Sequence, residues 1–367
     1  MIHCGEPQIG EMEREAVGQV LAGGRITEGA WVKAFATRLT SVIDRPVVPV
    51  SSGTAALHVA LLAVGVQPGD EAIVPATTYV ATANAALLCG AKVRVCDVDR
   101  KTWTLDPYAM TSLLTEKTAA VVPVHLYGVP ADIEAIEDEL EIHYRCTGRR
   151  VAIVEDCAEA LGAQTPLGKV GSLGDAAAFS FYGSKTITTG GEGGAVAWAD
   201  WRVGSRAEHV SHQSMTHIRY VHDCIGFNYR MTEMQAAFGV AQMSRLEEFL
   251  AKRRQVFEWY DERLDSIDSV RRQLLPAGHT HGYWAYAVML QAWANPVAQK
   301  MLAAGVETRP VFPPLWTVPQ VGGDDHVVES TADRIRTHGL VLPTHCGLIE
   351  NDVDKVCREL RNAIDTA

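Results

Sequence analysis

Short apolar runs alternate with amphipathic or alanine-rich stretches through the first half of the chain. The runs at Val47–Val50, 71–74, 93–98, 119–124 and 151–154 have the length and texture of buried strands. Between them, residues 55–64, Ala81–Leu88, 107–114 and 133–144 read as helices. Alternation of this kind predicts an α/β fold, a mostly parallel sheet with helices on both faces. Two more strands, 176–181 and Gly194–Trp198, are joined by a glycine-rich loop instead of a helix, which allows one antiparallel strand. After Asn228 the texture changes. Residues 231–263 read as one long helix, with Met234, Phe238, Leu246, Leu250 and Phe257 near one stripe; its two ends can serve different domains. A strand at 283–290, a helix at 296–304 and a closing helix at 352–364 complete a smaller α+β unit. The expected division is a large domain over residues 1–245 and a small one over 246–367. Pro310, Pro313, Pro314 and Pro319 mark a rigid irregular segment within the latter.

Composition narrows the classes of partner. The 367 residues carry 33 Lys+Arg against 44 Asp+Glu, a formal net charge of −11, with no basic block. Such a chain is a poor binder of nucleic acid, whose non-specific affinity comes from cations. No apolar run approaches the length of a membrane span, so no membrane partner is expected. Residues 1–15 mix His3, Glu6, Glu11, Glu13 and Arg14 without a secretory pattern. The eight cysteines are scattered, with no CxxC pair, and read as reduced thiols of a cytoplasmic protein.

Three segments carry candidate chemistry. Ser51-Ser52-Gly53-Thr54 ends a strand and opens a helix, where unpaired N–H groups and the helix dipole suit a phosphate. Serine or threonine there is also an ordinary helix cap, and caps outnumber anion sites. Glu155-Asp156 lies at the carboxyl end of a strand, where a carboxylate can pair with a protonated ring nitrogen or a metal. The spacing to Glu159 equally fits a helix cap with a capping box. Lys185 lies just past a strand in the loop from Phe179 to Gly194, which is rich in small residues. Lysines so placed form Schiff bases with carbonyls, although most loop lysines are simply solvated. Gly190-Gly191-Glu192-Gly193 is not the dinucleotide fingerprint GxGxxG. His209, His212, His217, His222 and Cys224 cluster along the chain, but without an HxH or HExxH pair no metal is expected. Individually weak, the three segments together make a phosphate anchor, a pyridine-nitrogen partner and a Schiff-base lysine, in order. That is the toolkit of pyridoxal phosphate.

In these segments the chain resembles the DegT/DnrJ/EryC1/StrS family of sugar aminotransferases, within fold-type-I pyridoxal-phosphate enzymes. Matching stretches include Ser52-Gly53-Thr54-Ala55-Ala56-Leu57, Gly69-Asp70-Glu71, residues 75–84 and 123–128, and Glu155-Asp156-Cys157-Ala158-Glu159. Residues 179–181, 226–231 and 307–310 continue the match. The resemblance implies a seven-stranded, mostly parallel sheet plus a smaller C-terminal α+β domain. It also implies a role for each matched residue. Lys185 would bond the cofactor and shuttle a proton, and Asp156 would hold the ring nitrogen protonated. Tyr79 would stack on the ring; Gly53, Thr54 and Ser180 would hold the phosphate. Asn228 would reach the phosphate of the neighbouring subunit in a homodimer with shared active sites. Glu159 stands near the ring hydroxyl, where many relatives have Gln. With residues 183–190, it points to the perosamine-synthase-like branch, which aminates C4 of nucleotide-linked 4-keto-6-deoxy sugars. Where relatives carry aromatic and histidine residues after the Arg309 position, this chain has Val311-Phe312-Pro313-Pro314-Leu315-Trp316.

The resemblance leads to a glutamate- or glutamine-dependent aminotransferase acting on a nucleotide-linked keto sugar. A keto-cyclitol or other antibiotic precursor is the rival acceptor. A cofactor-binding regulatory protein without turnover is the rival of another class; Lys185 beside Asp156, and the lack of a helix-turn-helix segment, weigh against it. The same lysine weighs against the family's dehydratases, which carry His there.

Overall fold

Alternating strands and helices wind into one sheet, as the apolar pattern requires. The computed structural model describes residues 1–322 and 324–366. Two helices, α1 (Glu11–Gly23) and α2 (Ala30–Ile43), precede the sheet. There follow β1 (Val47–Val50), α3 (Gly53–Val64), β2 (Glu71–Pro75), α4 (Ala81–Leu88) and β3 (Lys92–Cys96). Next come α5 (Pro107–Thr111), β4 (Thr118–Val121), α6 (Ile133–Thr147) and β5 (Ala152–Asp156). A small hairpin, β6 (Gln164–Thr165) and β7 (Gly168–Lys169), leads to β8 (Ala176–Ser180) and β9 (Gly194–Trp198). The seven-stranded sheet runs β1-β9-β8-β5-β4-β2-β3. Only β9 is reversed, antiparallel to both its neighbours, so the glycine-rich loop does insert a single antiparallel strand.

Successive side chains of each strand face opposite layers. Val48, Val50, Val74, Val154, Ala178 and Val196 join a core with α3, α4 and α7 (Trp201–Ser211). On the other face, Val47, Ala177, Phe179 and Ala195 meet α2 and α8 (Glu233–Met243), while Ile73, Val121 and Ile153 meet α6. Residues 55–61 of α3 are all buried. A helix apolar on every side belongs inside the protein. This one brings its N-terminus to the carboxyl ends of the strands.

The long helix expected over 231–263 is two helices. Ser244 and Arg245 separate α8 from α9 (Leu246–Leu264). The Ser244 hydroxyl donates back to the Ala241 carbonyl at 2.6 Å, and Arg245 leaves helical geometry at φ −113°, ψ 7°. The apolar stripe continues across this break, which is why its period conceals it. Leu246 and Phe249 pack beside the large sheet, whereas Val256, Phe257, Tyr260 and Leu264 pack under a second sheet. That sheet comprises β10 (Val270–Arg272), β11 (Tyr286–Leu290), β12 (Arg309–Pro310) and β13 (Gly339–Leu342), ordered β10-β11-β13-β12 and wholly antiparallel. Helices α10 (Ala294–Ala303) and α12 (Glu350–Asp365) share its core, while α11 (Thr331–His338) joins the first one. Pro310 therefore lies in an edge strand, where a missing N–H costs little; it had been expected in irregular chain. Among the described residues no helix is long and apolar enough to cross a membrane.

Candidate active site

The carboxyl ends of the parallel strands open onto a cleft of about 560 Å³, the place where ligands collect in α/β sheets. Gly53, Thr54, Tyr79, Asp156, Glu159, Ser180 and Lys185 all line it. Of the expected site residues, only Asn228 does not.

The helix α3 begins at Gly53, two residues earlier than its apolar run suggests. Ser52 is its N-cap, accepting the Ala55 N–H at 3.1 Å. The cap and an anion site coexist, because one cap leaves other first-turn N–H groups without intrahelical acceptors. A Cβ on Gly53 would stand 2.6 Å from the Ser180 Cβ. Glycine is what lets the helix start lie directly against the end of β8. Gly194 is equally confined, since a Cβ there would meet the Ser52 carbonyl at 2.4 Å.

Asp156 ends β5 and is almost fully buried. Its carboxylate accepts the Thr82 hydroxyl at 2.9 Å and the Ala158 N–H at 3.1 Å. The chain then turns without forming a helix, so the capping-box reading of Asp156 and Glu159 falls away. Burial pushes the Asp156 carboxyl above its ordinary range, against the pull of Ala158, Thr82 and the Lys185 charge. Among the described residues no basic side chain is bonded to it. Beside it, the buried Glu155 accepts His125 Nε2 at 3.0 Å and the N–H groups of Gly171, Leu173 and Gly174. His125 Nδ1 accepts the Ala131 N–H, and its backbone N–H donates to the Asp156 carbonyl. This pair fixes the strand end that carries Asp156.

Lys185 follows β8 in a loop held by its own backbone: the Gly183 N–H donates to the Gly191 carbonyl and the Lys185 N–H to the Tyr182 carbonyl. The Lys185 amine lies 3.4 Å from Glu159 and 4.0 Å from the centre of the Trp284 ring. Glu159 also accepts the Tyr127 N–H at 2.7 Å. The loop lysine is therefore embraced, not solvated.

Burial raises the Glu159 carboxyl from 4.5 to about 6, although the Lys185 charge and the Tyr127 N–H pull it back. Between those values the folded chain holds a proton that the unfolded chain releases. This group's stabilising contribution is thus full below 4.5 and is lost as pH rises through about 6, a loss of about 2 kcal/mol. Glu159→Gln keeps an oxygen for Tyr127 but has no proton to lose. Its stability relative to wild type should rise by about 2 kcal/mol between about pH 4 and pH 7, read by urea denaturation of cofactor-free protein. A difference that stays constant over that range would contradict the assignment.

The sequence reading assigned no role to several cleft residues. Trp284, Arg309, Phe312, Glu192 and Thr78 line the cleft, and Tyr127 stacks with both Trp284 and Phe312. Thr78 and Thr82, four residues apart, lie within the matched segment 75–84 and bond to each other at 2.9 Å; that spacing was the available signal. Phe312 lies in the segment after Arg309 that departs from relatives, and Trp284 carried no local signal. The histidines 209–222 disperse onto separate partners: His209 onto Asp223, His222 onto the Gln213 carbonyl. His209 of α7 meets Asp223 and Cys224 of the loop that follows, both exposed. Asn228 is exposed at the end of that loop and pairs through its backbone with His212.

A helix start for an anion, a buried carboxylate for a cation and an enclosed amine for a carbonyl thus meet in one cleft. Comparison with known proteins agrees with this set. The model of the DegT/DnrJ/EryC1/StrS aminotransferase family matches residues 7–361. The chain is 40% identical over 319 residues to GDP-perosamine synthase of Caulobacter vibrioides, covering 84% of this chain and 83% of that protein. It superposes on the aminotransferase TlmJ from Streptoalloteichus hindustanus with a TM-score of 0.92 at 32% identity, over 100% of this chain and 99% of that one. The PMP-form of the sugar aminotransferase Spr1654 from Streptococcus pneumoniae matches with a TM-score of 0.93 at 25% identity, over 100% of both chains.

Proposed function

Because the chain belongs to the DegT/DnrJ/EryC1/StrS aminotransferase family, we propose that it uses pyridoxal phosphate to aminate the C4 ketone of a nucleotide-linked 4-keto-6-deoxy sugar, with glutamate as donor. The observation that carries this reading is the convergence of Gly53, Asp156 and Lys185 in one cleft. The residues fit the cofactor. The start of α3, with Gly53, Thr54 and Ser180, suits its phosphate, and the Asp156 carboxylate, buried without a basic partner, suits its ring nitrogen. The face of Tyr79 suits the ring, and Glu159 its hydroxyl. When bound, the cofactor supplies a carbonyl for the amine and a cationic ring that takes up electrons.

The chain's own side chains do the rest. Lys185 would hold the cofactor through its amine and, when free, would carry the proton between carbons. Asp156, held by Thr82 and Ala158, keeps a negative charge facing the ring nitrogen and so keeps that nitrogen protonated. Within this reading residues 1–245 are the cofactor-binding domain. Residues 246–367 are the smaller one, which contributes Trp284, Arg309 and Phe312 to the cleft. The substrate test is a panel of keto-sugar nucleotides with nitrogen-labelled glutamate. Label appearing at C4 of a GDP-linked 4-keto-6-deoxy sugar supports the proposal. Label passing only to a keto-cyclitol contradicts it.

The working unit in this proposal is a homodimer, with Asn228 reaching the phosphate pocket of the other subunit. Its exposure away from its own cleft supports this, as do the exposed apolar residues Ile218, Tyr220, Val221 and Ile225 beside it. Losing one neutral donor should weaken cofactor binding by about 1–3 kcal/mol. Chains with Asn228→Ala and with Lys185→Ala, each poor alone, should regain activity on mixing, because one site of each mixed dimer keeps both residues. No recovery under verified subunit exchange, or an active monomer, would defeat the shared site.

A further inference from the structure

Lys185 must spend part of each cycle bonded to the cofactor and part free, and a free charged amine in a closed cleft needs somewhere to sit. Trp284 is placed to receive it. The amine lies 4.0 Å from the centre of the indole ring, with Glu159 at 3.4 Å as its other neighbour. The ring is fixed on several sides. Its N–H donates to the Ser184 carbonyl at 3.0 Å, one residue before Lys185. One face borders Tyr127, whose ring is nearly parallel at 14° and 6.1 Å. The Trp284 backbone is held too: a guanidinium nitrogen of Arg253 is shared among the carbonyls of Tyr283, Trp284 and Thr344, at 3.4, 3.1 and 3.2 Å. Arg253 is buried and has no carboxylate partner among the described residues. Burying an unpaired cation is a costly way to hold a carbonyl. A wall that needed only to be apolar would not require it.

We propose that the Trp284 face is the seat of the Lys185 ammonium whenever that nitrogen is not bonded to cofactor, and that it sets the balance between the bonded and free states. An aromatic face attracts a compact ammonium through its quadrupole and would offer less to a nitrogen whose charge is shared with a conjugated cofactor. Trp284 therefore stabilises one state of Lys185 over the other. This inference rests on the reading of Lys185 as the residue that bonds the cofactor.

The two cofactor forms separate the states, since pyridoxal phosphate engages the lysine covalently and pyridoxamine phosphate leaves it free. The test is the affinity of cofactor-free protein for each form, measured by calorimetry on wild type, Trp284→Leu and Trp284→Phe. Because the cofactor-free protein and the pyridoxamine form both seat the ammonium and the pyridoxal form does not, leucine should tighten pyridoxal phosphate binding by about five- to tenfold while pyridoxamine phosphate changes by less than about twofold. Phenylalanine keeps a π face but lacks the N–H to Ser184, and should leave both affinities within about twofold of wild type. If both variants lose both forms equally, Trp284 only props the loop and the inference is overturned. It is overturned too if the leucine variant shows no selective gain for pyridoxal phosphate. Should that variant not fold by circular dichroism, Trp284→Met provides the same comparison. Borohydride reduction of the wild type separates the two levels of argument: no cofactor fixed to Lys185 defeats the broader reading, whereas a fixed cofactor with unchanged affinity ratios defeats only the role of Trp284.

Discussion

Lys185→Ala should reduce amino transfer by about ten-thousandfold or more, with the fold intact. Among the described residues no other amine lines the cleft, and Arg309, the other cation there, is too basic to give up a proton. Losing the lysine removes both the group that bonds a carbonyl and the group that moves the proton, and general acid–base catalysis alone contributes about 10²–10⁴. The structural cost is small, because the side chain has one ion pair, at 3.4 Å, and one π contact. Single-turnover kinetics with glutamate, beside the thermal melt of the variant, check both halves. Substantial turnover in a well-folded variant would remove Lys185 from the mechanism.

Asp156→Asn should lower the rate by on the order of a hundredfold to a thousandfold, the range for removing one preorganised charge from an enclosed site. Cofactor affinity should change far less, since the start of α3 and Lys185 remain. The amide oxygen can keep the Ala158 N–H while its NH2 donates to the Thr82 hydroxyl, whose own proton has the Tyr79 carbonyl as an acceptor at 3.2 Å, so the side chain stays in place while its charge is lost. The readout is the rate of the half-reaction with glutamate at saturating cofactor. Near wild-type turnover would mean that the carboxylate only stiffens the strand end.

The large sheet was legible because its strands are short apolar runs bounded by turns, and Val47–Val50 and Gly194–Trp198 have the bounds expected of them. The reversed β9 was legible because a glycine-rich loop, instead of a helix, joins it to β8. Elsewhere period was a poor guide. The break at Ser244 and Arg245 lies inside a continuous stripe, and what sets it is that Leu246 and Val256 face different cores. Helices α1 and α2 were passed over, although Phe35, Leu39 and Ile43 recur at four-residue spacing and are fully buried. In the cleft, Lys185 and Asp156 stood out because charged side chains beside apolar strands demand a reason. Trp284 did not, because an aromatic residue looks the same in a core as in a cleft wall. Thr82 reaches Asp156 across 74 positions of chain, a distance that no local pattern spans. The same holds for Arg253, a basic residue on a long amphipathic helix until the fold buries it.

The account rests on one claim, that this cleft takes an amino group onto its cofactor and passes it to a keto sugar. The absorbance spectrum of the purified, cofactor-loaded protein follows both halves in one cuvette. Glutamate alone should abolish the visible band as the carbonyl becomes an amine, and a GDP-linked 4-keto-6-deoxy sugar should then restore it. A band that persists with glutamate, or that returns with no keto-sugar nucleotide once lost, would contradict the account.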